Sequence, residues 1–145
     1  MIQDLKTVLL ANLATLRREV EQYPDDASLW RQLPGLANPG GNLALHLAGN
    51  LQCFIGGHLG RTGYVRDRER EFAARDLSRD QVLQEVDAAA RAVEGALAPL
   101  DDAVLEQPFP VPVDGRPMLT GLFLTRLVSH LGYHLGQLDY HRRMI

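Results

Sequence analysis

The sequence predicts an all-α protein, a four-helix bundle, and three observations lead there. Apolar residues recur at spacings of three or four through four long stretches, no stretch alternates with the period of a strand, and proline and glycine fall between the stretches. Ile2, Leu5, Leu9, Leu13, Leu16, Val20 and Tyr23 form one stripe, so a first helix is expected over about 2–23, stopped by Pro24-Asp25-Asp26. Residues 24–38 carry Pro34 and Gly35 and read as a loop with room for one helical turn. Asn38-Pro39 then supplies a side-chain cap and a first-turn proline for a second helix over about 39–60. The charge run Arg66 to Glu71 makes residues 61–77 an exposed connection. Ser78-Arg79-Asp80-Gln81 fits a capping box that opens a third helix, whose stripe Val82, Val86, Ala90, Val93, Leu97 ends near Pro99. Pro108, Pro110, Pro112 and Asp114-Gly115 make a proline-rich loop, and a last helix runs from about Pro117 to Arg143.

With 145 residues, 46% of them hydrophobic and 23% charged, the chain is expected to fold as one domain spanning 1–145 around its own core. Its formal net charge of -3 argues against a nucleic-acid partner, because no broad basic surface is available for phosphates. Its apolar runs fall far short of the ~20 residues of a membrane span, and the first residues lack the pattern of a secretory signal. A cytoplasmic location without membrane partners is the expectation. Cys53 stands alone, so no disulfide and no cysteine-based zinc site can form; it reads as an inert core thiol.

Three of the five histidines, His130, His134 and His141, lie within twelve residues of the last helix. At about 100° per residue, His134 falls near +40° of His130, Gln137 near -20° and His141 near +20°, which makes one narrow polar stripe on an apolar helix. Two neutral imidazoles four residues apart can aim lone pairs at one ion. A third ligand is needed, and His46, set in the apolar run Leu43 to Ala48, is the candidate. Three histidines leave a coordination position open for water or substrate, as in catalytic sites. The competing reading is a set of core or interface histidines bonded to carbonyls. His141 lies about 10 Å beyond His134 by helical rise, too far to share its ion, and is assigned to the pocket mouth. Asn50 and Gln137, one turn from His46 and His134, are candidate pocket residues suited to orient water or substrate. His58 reads as structural, Tyr133 as packed between helices, and Asp139 as pointing away from the stripe. Gly132 and Gly136 permit a close helix approach, inside the protein or to a second subunit.

His46-Leu47-Ala48-Gly49-Asn50-Leu51 together with Ser129-His130-Leu131-Gly132-Tyr133-His134-Leu135-Gly136-Gln137 resembles the DinB-like superfamily of bacterial four-helix bundles, over nearly the whole chain. The resemblance implies a divalent ion held by His46 from the second helix and by His130 and His134 from the last, and it favours a homodimer. Arg66 to Phe72 is similar to a stretch of mixed charge in one uncharacterised branch of that superfamily, where it identifies no role. Some members resemble thiol-dependent transferases and others metal-dependent amide hydrolases, so the fold leaves the reaction open.

The expected function is accordingly a metal-dependent enzyme with zinc or nickel at an open three-histidine site, acting on a small thiol or by hydrolysis. The thiol reading leads slightly, because neither the second helix nor the histidine stripe carries a carboxylate beside a ligand to act as base. The alternative is a non-catalytic binding module, metal-free or with an ion that only staples two helices; such an ion would prefer a fourth protein ligand.

Overall fold

Helices carry most of the chain, and the computed structural model describes all residues, 1–145. Their order is α1 (Ile2–Glu21), α2 (Gly40–Leu51), α3 (Arg68–Ala73), α4 (Arg79–Leu97) and α5 (Thr120–Arg143). Two 3-10 turns, Ala27–Trp30 and Asp102–Glu106, sit in the connections, and strand-like pairing is confined to two isolated bridges.

The α1 stripe buries Ile2, Leu9, Leu13, Leu16 and Val20 as its periodicity requires. The helix ends two residues earlier than expected, and Tyr23, just past it, is fully buried. The 3-10 turn at Ala27–Trp30 is the single helical turn anticipated in that loop, held by Asp25 Oδ1, which accepts from the Ser28 amide at 2.8 Å.

Every residue of α2 is buried. A helix apolar all round belongs at the centre of a fold; α2 packs against α4 and α5, with α3 laid across it and α1 at its flank. Its N-cap is Pro39, and the Asn38 side-chain cap is absent. Asn38 stands one position outside the cap, out of register with the first-turn amides. Beyond Leu51 the helix continues as a π-wound segment, Gln52–Leu59, so the extent to about residue 60 holds while the winding differs.

The connection 61–77 departs most from the reading of the sequence. Inside the charge run Asp67 caps α3 by accepting from the Arg70 amide, and Glu71, in the middle of α3, is buried. Asn42 of α2 docks this short helix, donating from Nδ2 to the carbonyls of Glu71 at 3.0 Å and Ala74 at 2.9 Å. Arg75 in turn donates to Asn42 Oδ1. The run is exposed from Asp67 to Arg70 as expected, but Glu71 is buried, and the short helix that carries it is fastened to the central helix.

The capping box of α4 forms as expected, with Ser78 accepting from the Gln81 amide and the Gln81 side chain accepting from the Ser78 amide. The last helix begins at Thr120 and not at Pro117. Residues 118 and 119 are held extended, because the Phe109 amide donates to the Met118 carbonyl at 2.8 Å and the Thr120 amide to Gln107 at 2.9 Å. Helices α1, α2, α4 and α5 share one continuous apolar core. No helix is long and apolar enough to cross a membrane.

Replacing Ser78 by Ala removes one acceptor of the capping box, which lies away from the histidines, and should cost about 1 kcal/mol in urea unfolding while leaving the near-ultraviolet circular dichroism of the native state unchanged.

Candidate metal centre

The central helix presents His46 toward α5, where His130 and His134 sit one turn apart. One ligand atom of each of the three lies within 4.8 Å of the others. His46 Nε2 and His130 Nε2 are 3.1 Å apart. His46 is thus brought together with a histidine pair 84 and more residues further along the chain, as the spacing of the His130–His134 pair and the apolar setting of His46 predict.

The outer nitrogens of two of these rings are engaged. His46 Nδ1 donates to Glu71 Oε1 at 3.1 Å, and His134 Nδ1 donates to Gln137 Oε1 at 2.7 Å. An N–H at Nδ1 leaves the Nε2 lone pair free, so these partners fix the tautomer that a metal ligand needs. His130 Nδ1 is buried with no partner. Whichever nitrogen of His130 carries its proton, the metal-free cluster holds an unsatisfied atom or opposes lone pairs across 3.1 Å. Tetrahedral ligands at zinc–nitrogen distances stand about 3.3 Å apart. The His46–His130 separation fits that spacing, and a ligand atom of His134 lies within 4.8 Å of both.

Glu71 is the carboxylate that the sequence reading did not find. Arg66 clamps it, with Nε 2.8 Å from Oε2 and Nη2 2.8 Å from Oε1. Side-chain exposure is only 6% for both His46 and Glu71, and 14% for Arg66, so this is a buried charge pair with its hydrogen bonds satisfied. Burial by itself would raise the Glu71 pKa; the hydrogen bonds from His46 and Arg66 and the guanidinium charge outweigh it and hold the carboxyl below its ordinary value. Gly49 makes room for it, since a Cβ there would collide with Glu71 Oε2. Phe72 covers the other side of His46 with ring centroids 4.8 Å apart, and Arg68 stacks on Phe72 at 5.2 Å. The charge run was legible only as local composition, and its one faint signal was Phe72 beside Glu71, an apolar residue within a stretch otherwise fit for solvent.

Burial lowers the pKa of His130 to about 4, helped by the neighbouring imidazoles and by Arg66 and Arg68. Burial also lowers that of His134, against the hydrogen bond to Gln137. Both rings are neutral at neutral pH, the form that ligates metal.

The remaining candidates fall into place around this cluster or away from it. Gln137 is an orienting partner, as just described. Asn50 is buried, and its Oδ1 has no hydrogen-bond partner. His141 does not line the mouth. It is fully buried, Nε2 donates to the Arg31 carbonyl at 2.8 Å, and Nδ1 accepts from the Tyr23 hydroxyl at 2.8 Å. The two turns separating it from His134 carry it under the 24–38 loop instead of into the cluster. Tyr133 is 67% exposed and not packed between helices. Gly132 and Gly136 face open space, so neither serves internal packing. Asp139 pairs with Arg142 and Arg143. Cys53 is half-buried with its thiol pKa pushed up by burial, as for an inert thiol. His58 rests against Phe54 and Phe109.

Burial lowers the His141 pKa, against the hydrogen bond to Arg31, which raises it. The unfolded chain therefore takes up this proton first, so the contribution of His141 to stability is intact above its ordinary value of about 6.5 and is lost as pH falls below it. In metal-free protein the drop in urea midpoint between pH 7.5 and pH 5.0 should be smaller in His141→Gln than in the wild type; equal drops would contradict this linkage.

A family model described as a protein of unknown function (DUF1572) matches residues 2–145. No curated protein matches the chain.

Proposed function

The chain belongs to the DUF1572 family, a DinB-like helical family, and from that premise we propose that it is a four-helix-bundle metalloenzyme whose divalent ion is held by His46, His130 and His134. The observation that carries this reading is the convergence of three imidazoles, two of which, His46 and His134, have their outer nitrogens held by Glu71 and Gln137, with His46 and His130 already at ligand spacing. Zinc or nickel suits an all-imidazole donor set.

The donor set leaves the ion a position for substrate. His141 is held by Tyr23 and Arg31, and both Glu71 oxygens are taken by His46 and Arg66, so neither closes the shell as a structural site would require. This favours the catalytic reading over an ion that merely joins α2 to α5. Bound there, a divalent ion supplies a Lewis acid able to stabilise a thiolate or to acidify a water molecule.

The protein's own groups favour the thiol reading. A hydrolase of this kind needs a base near the open position, and Glu71 is committed as a hydrogen-bond acceptor with a lowered pKa. Its role is to hold the His46 ring and raise its basicity through the carboxylate–histidine pair. Arg66 keeps that carboxylate ionised, and Phe72 screens the pair from water. Gln137 does the same service for His134 without charge.

Protein purified without a histidine tag or added metal, or incubated with zinc or nickel, should contain about one ion per chain by inductively coupled plasma mass spectrometry. The ion should be lost from the folded variants His46→Ala and His134→Ala. A wild-type protein that remains free of metal after incubation would sink the reading. Glu71→Gln keeps the shape but weakens the acceptor and leaves Arg66 uncompensated, so metal affinity should fall about 10- to 100-fold in a competition titration with a chromophoric chelator; an unchanged affinity would remove Glu71 from the site.

A further inference from the structure

Beside the histidine cluster lies a cavity of about 340 Å³ lined by Leu36, Ala37, Asn38, Leu43, Gly136, Gln137 and Tyr140. Its position follows from the helices. Leu43 is three residues before His46 on α2, and Gln137 is three residues after His134 on α5, so each helix carries a wall residue about one turn, about 5 Å of helical rise, from a histidine of the cluster. Gln137 belongs to both: its Oε1 accepts from His134 Nδ1 while its side chain forms cavity wall.

The wall opposite the helices is the segment 36–38, and it is held in place from behind. Arg31, five residues before Leu36 in the same loop, offers its carbonyl to His141 Nε2, and the His141 ring is fixed in turn by Tyr23. Gln32 Nε2 donates to the Leu36 carbonyl at 2.6 Å, closing the segment on itself. The buried histidine that the sequence assigns to the pocket mouth thereby anchors the loop from which the cavity wall is built. No charged side chain lines the cavity; its polar groups are the amides of Asn38 and Gln137 and the Tyr140 hydroxyl. Gly136, at the exposed edge of the lining, has nothing within 4 Å of where its Cβ would stand, so a larger side chain there has room to crowd the cavity.

We propose that this cavity receives an uncharged, largely apolar group of the substrate whose reacting atom binds at the three-histidine centre, an inference that rests on the metal-site reading above. A charged group entering here would lose hydration with no countercharge to replace it, whereas an aromatic or branched aliphatic group gains by burial against Leu36, Leu43 and Tyr140. Asn38 and Gln137 add hydrogen bonds for a neutral polar substituent on that group.

The test has a metal-free arm and a metal-loaded arm. In the first, benzyl alcohol is titrated into metal-free, 15N-labelled protein. The amides of Asn38, Gly136, Gln137 and Tyr140 should shift to saturation, benzoate and benzylamine at neutral pH should bind at least ten-fold more weakly, and Gly136→Leu, which crowds the cavity, should abolish the shifts. In the second, Co(II)-loaded protein is titrated with benzyl mercaptan and with 2-mercaptoethanol, and the thiolate-to-cobalt absorption is read. Benzyl mercaptan should bind at least ten-fold more tightly, and the preference should vanish in Gly136→Leu while its cobalt content stays at one per chain. Absent shifts, equal binding of the charged probes, or a preference that survives Gly136→Leu would each overturn the proposal. If cobalt does not bind at all while benzyl alcohol does, the failure lies with the metal site, and the cavity no longer serves as its substrate pocket.

Discussion

An imidazole on a helix buried along its whole length has to be satisfied by something the fold brings to it. His46 occupies that position on α2, and the surrounding structure is arranged to answer it. One nitrogen is met by Glu71, which cannot be buried as a lone charge and so brings Arg66 with it. Those two residues come inward only because α3 folds across α2, and α3 stays there because Asn42 takes up two of its carbonyls. Gly49 must lack a side chain for the carboxylate to fit. The other nitrogen of His46 faces α5, where it meets His130 and His134. A single polar residue at the centre of the protein thus explains a docked short helix, a buried ion pair and a constraint on a glycine.

Along α5 the histidine stripe serves two purposes that differ in their surroundings. His130 and His134 sit where α2 brings a third imidazole, so their nitrogens converge on one point. Two turns later His141 meets no other imidazole. It finds a hydroxyl and a carbonyl, and it becomes a latch between α5, the end of α1 and the loop that follows it. Between the two stands Gln137, which orients His134 on one side and shapes the adjoining cavity on the other. Chemistry at the cluster and recognition in the cavity would therefore be coupled through one amide.

Much of the fold was legible in the sequence because it rests on local rules. The stripes of α1 and α4, the capping box at Ser78 and the single turn in the 24–38 loop all follow from residues within a few positions of one another. The candidate cluster was legible too, since a pair of histidines one helical turn apart marks a direction, and an apolar run around His46 marks a residue in need of a partner. The burial of Glu71 at the end of the charge run was not legible, for the same reason that the helices were read well. Local composition marks Arg66 to Glu71 as solvated, whereas the contact that buries Glu71 joins it to a residue 25 positions away. Tyr133 was misplaced likewise, and internal packing for the two glycines of α5 did not hold, because periodicity gives a direction around the helix without saying which directions another helix covers.

The sequence by itself determined that the chain is helical, where its long helices start and stop to within a few residues, and which three histidines can share a point. Such features are set by backbone hydrogen bonding and side-chain periodicity, which act over a turn or two. Only the tertiary structure decided that a carboxylate orients His46, that His141 is a latch and not part of the pocket mouth, and that an uncharged cavity opens next to the cluster. Each of these depends on which surface α2 and α5 turn toward segments far away in the chain, and that is settled by the packing of the whole core around a buried helix.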